Sequence, residues 1–175
     1  MTERLIETWG YETIAAMITE PLFGIGGIVP PPEYLPQLVE MLHEHDILWV
    51  CDEVLTGFGK IGKWFAHQLF GDLKPDLMPL GKGFVSSALP AAGTVINKEI
   101  AEFLDKYRWI HVGTFHAHPI SMAAVCANLE VLIETNAPEL ARKAGEYLGP
   151  KLRELQAKHE TLGLVSGLGV FWALE

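Results

Sequence analysis

The sequence predicts an α/β domain, a three-layer sandwich built on a mostly parallel sheet. Three observations carry that expectation. Short apolar runs of strand length alternate with longer amphipathic stretches along the chain. The run ILWVC at 47–51 is apolar without alternation, as in a strand covered on both faces by helices. Several runs also stop abruptly at polar residues, and in open α/β sheets ligands sit beyond the carboxyl ends of the strands.

The elements follow in order. Residues 2–9 read as a helix closed by Gly10, and TIAAMIT at 13–19 as a strand. Glu20-Pro21 and the stretch GIGGIVPPP then form a loop. Residues 33–45 predict a helix with Glu33 and Pro36 near its start and Leu38, Met41 and Leu42 on one face. His43 and His45, two apart on that helix, face different ways. The strand 47–51 ends at Asp52-Glu53 and leads into the glycine-rich TGFGKIGK. A short helix is expected at 64–69, and a weak strand at 76–80 runs into Gly81-Lys82-Gly83. Another strand covers 91–97, and helices cover 98–105, 119–135 and 137–158. Pro150 is expected to bend or split the last of these. Residues 161–174 read as strand material with a glycine break.

Composition narrows the function. A length of 175 residues with 49% hydrophobic content supports one domain with one sizeable core. A net charge of −9 gives no basic surface for a nucleic-acid backbone. No run of about 18 uncharged apolar residues is available to span a membrane. The first ten residues lack the order of a secretion signal, and two cysteines provide no disulfide framework, so a cytoplasmic location is expected. Cys51 and Cys126 sit in apolar contexts and are expected to be small buried hydrophobes. The seven histidines include His111, His116 and His118 close together, but at no zinc-ligand spacing, and no metal is expected.

Four places put polar groups at strand ends: Glu20, Asp52 with Glu53, Lys82, and the loop holding Thr114. A carboxylate after a buried strand needs a partner, which a salt bridge or a ligand can supply. A phosphate-loop reading of residues 57–63 fails, because Trp64 stands where a metal-binding hydroxyl is required. The loop also follows the acidic strand when it should precede it. Lys82 lies between two glycines just past a strand. A lysine that attacks a carbonyl must shed its proton, and flanking glycines permit a turn and the approach of a flat ligand. Taken alone, an ordinary solvated loop lysine fits as well.

The segments AAMITEPLFGIGGIVPPPEYL, ILWVCDEVLTGFGKIGKWFA, PDLMPLGKGF and GTFHAHPISMAAVCANLEVL together resemble the class III aminotransferases, the ω-transaminase group of fold-type I pyridoxal phosphate enzymes. They occur in the family's order and cover nearly the whole chain. The most specific part is the DEV-x-TGFG-x-x-GK block with a GKG lysine 30 residues after Asp52.

The resemblance implies pyridoxal 5'-phosphate as cofactor and assigns roles residue by residue. Lys82 matches the lysine that forms the internal aldimine and then shuttles a proton. Asp52 matches the acid paired with the pyridine nitrogen, where a carboxylate keeps the ring cationic. Val54 matches the residue packed on one ring face. Thr114 matches the threonine that reaches the cofactor phosphate of a neighbouring subunit, which implies a homodimer with a composite site. Glu20 matches an acid near the cofactor with a supporting role, and Glu53 is assigned to structural support. Many members carry glutamine three residues after the aspartate; Leu55 stands there instead, which favours the ω-amino acid:pyruvate subgroup. His118 is expected to serve helix entry.

The resemblance also implies that residues 1–158 are the C-terminal part of the large cofactor-binding domain, and 159–175 the opening of a small C-terminal domain. The upstream phosphate loop, the stacking aromatic and the downstream carboxylate-binding arginine are not in these 175 residues, so the isolated chain is expected not to turn over. The implied reaction transfers an amino group from an amine or ω-amino acid to a 2-oxo acid such as pyruvate. The alternatives are another reaction of the same cofactor, an aminomutase or a decarboxylase, or a dimerising remnant without chemistry.

Overall fold

The computed structural model describes residues 2–107 and 109–175. Helix α1 (Thr2–Trp9) buries Ile6 and ends at Gly10, whose φ of 82° lets its N–H return to the Ile6 carbonyl at 3.0 Å. Strand β1 (Ala16–Thr19) follows, shorter than predicted because residues 11–13 close into a 3-10 turn. The glycine-proline stretch is loop, apart from one such turn at 25–27.

Helix α2 (Tyr34–Glu44) buries Leu35, Leu38, Val39 and Leu42, a stripe at helical spacing. Pro36 is in its first turn, where the missing N–H has no helical partner to lose. The stripe packs on β2 (Leu48–Cys51) through Trp49 and Cys51, with Ile6, Ile47 and Phe70 closing the cluster. Trp49 is fully buried and its indole N–H donates to Thr19 Oγ1 at 2.9 Å. Trp49→Ala is expected to lower stability by roughly 3–5 kcal/mol, read from the urea midpoint, because it opens a cavity and strands the threonine hydroxyl.

Strands β3 (Leu77–Leu80) and β4 (Gly93–Ile96) complete a sheet of order β1-β2-β3-β4. The first three strands are parallel and β4 is antiparallel to β3. The architecture is the predicted α/β sandwich on a mostly parallel sheet. One detail differs: β2 is not buried on both faces. Trp49 and Cys51 face α2, whereas on the opposite side Leu48 is 37% exposed and Ile18 on β1, the partner of Val50, is 62% exposed.

Helices α3 (Lys98–Lys106), α4 (Pro119–Glu134) and α5 (Ala137–Lys158) follow. Asn97 caps α3 by accepting the Ile100 N–H at 2.9 Å. His118 precedes α4 as its N-cap residue without a side-chain cap bond, and Pro119 occupies the first turn. Of the two outcomes expected at Pro150, a split does not occur: α5 is one continuous helix across it. The chain closes with a hairpin of β5 (Val165–Leu168) and β6 (Phe171–Leu174). That hairpin is tied back by Ser166 Oγ to the Gly27 carbonyl and by the Val170 N–H to the Lys60 carbonyl, both at 2.9 Å. Among the described residues, no helix is long and apolar enough to cross a membrane.

Candidate active site

Three parallel strands end side by side, and each hands over to a residue singled out in the sequence. β1 leads to Glu20, β2 to Asp52 and β3 to Gly81-Lys82. Two hydrogen bonds carry the ladder one step past β2. The Asp52 N–H donates to the Thr19 carbonyl at 2.9 Å and the Glu53 N–H to the Pro79 carbonyl at 3.2 Å. They pin Asp52 between its neighbouring strands. Asp52 Oδ1 accepts the Val54 N–H at 2.9 Å, the local turn that aspartate favours. Its Oδ2 is the oxygen left to meet a ligand.

The lysine turn is built differently from what its flanking glycines suggest. Gly81 is extended, with φ −170°, a conformation open to any residue. The left-handed residue is Lys82 itself, with φ 42°. Such a non-glycine backbone costs on the order of 1 kcal/mol and persists only where the surroundings enforce it. Close packing explains the glycines. A Cβ on Gly81 would lie 3.2 Å from Val54 Cγ1, and one on Gly83 would lie 3.0 Å from Phe58 Cβ and 3.2 Å from the Gly57 carbonyl oxygen. The lysine turn is therefore pressed against the loop that follows Asp52. The Lys82 side chain is exposed, and its carbonyl accepts from the N–H groups of Val85 and Ser87, each at 3.2 Å.

Val54 stands between these two parts. It contacts Gly81 and borders an open cavity of about 820 Å³ that also touches Pro79, Leu80 and Trp109. Glu20 turns back on its own loop, with Oε2 accepting the Gly24 N–H at 2.8 Å. Leu55 packs against the same Gly24. Thr114 lies on none of the strand ends. It is exposed in the turn 114–117 ahead of α4, among the exposed side chains of Trp109, Ile110, Val112 and Phe115.

The family pattern described as aminotransferase class-III matches residues 1–175. The chain belongs to the class III aminotransferases. The crystal structure of an S-selective transaminase from Arthrobacter sp. superposes with a TM-score of 0.94 at 50% sequence identity, covering 99% of this chain and 38% of that one. A putrescine–pyruvate aminotransferase of Pseudomonas aeruginosa is 39% identical over 99% of this chain and 38% of its own length. An alanine/serine racemase of Pyrococcus horikoshii is 38% identical over 94% of this chain and 34% of its own length. The chain thus spans well under half the length of these class III relatives.

The donor chemistry fits parts of pyridoxal phosphate. Lys82 would offer an amine to the aldehyde, Asp52 a carboxylate to the ring nitrogen, and Val54 an apolar contact to the ring face. Beneath these strand ends lies a polar hub. Glu53 is fully buried; Thr56 Oγ1 donates to its Oε2 at 2.6 Å, while the His67 N–H and ring Nδ1 meet Oε1 at 2.9 and 3.0 Å. The hub joins the loop after Asp52 to the turn 66–70. It bears out a structural role for Glu53, and its partner His67 carries no signal in the sequence because the pairing spans 14 residues. Glu53→Ala leaves the buried imidazole and hydroxyl unpaired. It is expected to cost about 3 kcal/mol of stability, measured by chemical denaturation.

Cys51, Glu53 and His67 place three potential ligand atoms within 4.8 Å of one another. Both Glu53 oxygens already accept hydrogen bonds. Burial, then the charges of Glu53 and Asp52, push the Cys51 thiol far above its ordinary pKa. The three side chains are packed in the core, with the carboxylate already committed to Thr56 and His67. Cys126 departs from expectation and is exposed on α4, a helix that buries Ser121 and Val125. Lys60 was not anticipated. Its Nζ donates to the Leu55 carbonyl at 3.0 Å, and burial, then the Lys82 charge, lower its pKa.

Proposed function

We propose that this chain serves pyridoxal phosphate-dependent transamination, in which an amine or ω-amino acid gives its amino group to a 2-oxo acid such as pyruvate. The observation that carries the reading is the meeting of Asp52 and Lys82 at the ends of adjacent strands, with Val54 against Gly81 between them. Bound pyridoxal phosphate supplies an aldehyde for amines and a ring that accepts electron density. Asp52 holds a proton at the ring nitrogen. Lys82 would supply the amine that holds the cofactor aldehyde and, when free, would act as the base and acid for a proton at the substrate's α-carbon. Val54 orients the ring by contact on one face. Glu20 shapes the 20–24 turn beside Leu55 and acts through that support.

The reading extends to assembly. Trp109, Ile110, Val112 and Phe115 are each more than 60% exposed around Thr114. A homodimer covers these apolar side chains and brings Thr114 to the partner's cofactor phosphate. We assign residues 1–158 to the large domain and 159–175 to the opening of a smaller one, a division supported by the separate β5–β6 sheet. We place the protein in the cytoplasm, where its two unpaired cysteines would stay reduced.

The test mixes the chain with pyridoxal phosphate, reduces with borohydride and maps the modified lysine. Modification of Lys82 is the expected result, and modification of a different lysine overturns the site. The similarity to a racemase favours one competing reaction of the same cofactor. Half-reaction spectra with candidate amines separate the two, since transamination alone releases an oxo acid.

A further inference from the structure

The segment after Lys82 holds an unusual density of strained backbone. Lys82, Ser86 and Ser87 have φ of 42°, 47° and 58°, three non-glycine residues in the left-handed region within six positions. Each relaxes to ordinary backbone unless something holds it. The hydrogen bonds inside the turn account for part of the restraint. A further part comes from across the fold, from a side chain on α4.

Asn128 Nδ2 donates to the Gly83 carbonyl at 2.9 Å and to the Phe84 carbonyl at 3.1 Å. Its Oδ1 accepts the Ser86 hydroxyl at 2.6 Å. The orientation of this amide follows from its partners, because two carbonyl oxygens can only accept and so require the nitrogen to face them. Three bonds from one half-buried amide thus reach the two residues after the lysine and the next strained position. On the opposite side Gly83 rests on Phe58 and the Gly57 carbonyl. The turn is gripped between α4 and the loop that follows Asp52.

We propose that Asn128 is a positioning residue for Lys82, clamping the strained turn so that the lysine amine is presented at the Asp52 end of the sheet. The inference rests on the reading of Lys82 as the cofactor lysine. Asn128 does not touch the reacting atoms; it acts through the carbonyls of Gly83 and Phe84. Releasing them lets Lys82 leave φ 42° and carries its amine away from Asp52.

The test uses the 175-residue chain, pyridoxal phosphate and borohydride trapping. The reported quantity is the label at Lys82 divided by the label at the exposed Lys151, with thermal melting run in parallel. Asn128→Ala is expected to lower that ratio about tenfold, the effect of losing one hydrogen bond of ordinary strength. Asn128→Asp has the same shape but no N–H to give the carbonyls, so it should fall with Asn128→Ala. Ser86→Ala, an exposed change that frees the amide to rotate, should lower the ratio by a smaller factor. If Asn128→Ala does not fold, the other two variants decide.

An unchanged ratio in Asn128→Ala, or a parental ratio in Asn128→Asp, overturns the clamp, since mere space-filling survives the isosteric change. Trapping of the parent chain at a lysine other than Lys82 overturns the site reading and this inference with it. Trapping at Lys82 with no dependence on residue 128 overturns the inference alone.

Discussion

Lys82→Ala is expected to abolish amine transfer and to remove the borohydride-trapped label. The expected fall in kcat is at least on the order of 10²–10⁴-fold from loss of the proton shuttle alone. Loss of the covalent attachment adds to it. The fold should not suffer, because the Lys82 side chain is exposed and makes no buried contact. Alanine also keeps the position in the left-handed region at about the same cost as lysine. Single-turnover measurement with a donor amine separates the two contributions: added small amines restore proton transfer but not the attachment. Retention of kcat within tenfold of the parent removes Lys82 from the chemistry.

Asp52→Asn is expected to give the second largest loss, about 10²-fold in kcat. The substitution is nearly isosteric, and an amide oxygen can still accept the Val54 N–H that Asp52 Oδ1 takes at 2.9 Å. The loop should therefore keep its shape while the charge disappears. A carboxylate beside the ring nitrogen favours the protonated ring and raises that nitrogen's pKa. Without it the pKa falls, so the alkaline limb of the pH–rate profile moves to lower pH. A drop in kcat with an unmoved limb would show that Asp52 acts by geometry and not by charge.

Much of this site is legible in the sequence because strand ends announce themselves. An apolar run that stops at an acid or a glycine-flanked lysine marks the carboxyl edge of a parallel sheet, and Glu20, Asp52 and Lys82 all follow such runs. What stays hidden depends on partners distant in the chain. Asn128 lies in an apolar helix 45 residues from Gly83, and its neighbours give no hint of a polar task. At Gly81 and Gly83 the packing uses lack of bulk and not left-handed backbone freedom, and both needs leave the same letter. The helix is not split at Pro150, because one missing N–H leaves the other hydrogen bonds of a 22-residue helix in place. Cys126 reads as core from AVCAN, yet α4 is apolar on more sides than this chain covers.

The outer edge of β1 has a practical consequence. Among the described residues Ala16–Thr19 pairs with β2 alone, and Ile18 beside that margin is 62% exposed. A row of unsatisfied N–H and C=O groups beside an apolar side chain is a template for strands of other molecules. Purified by itself, the chain should self-associate through this margin. Lysine at Ile18 should raise its solubility limit, read as a later onset of light scattering with concentration.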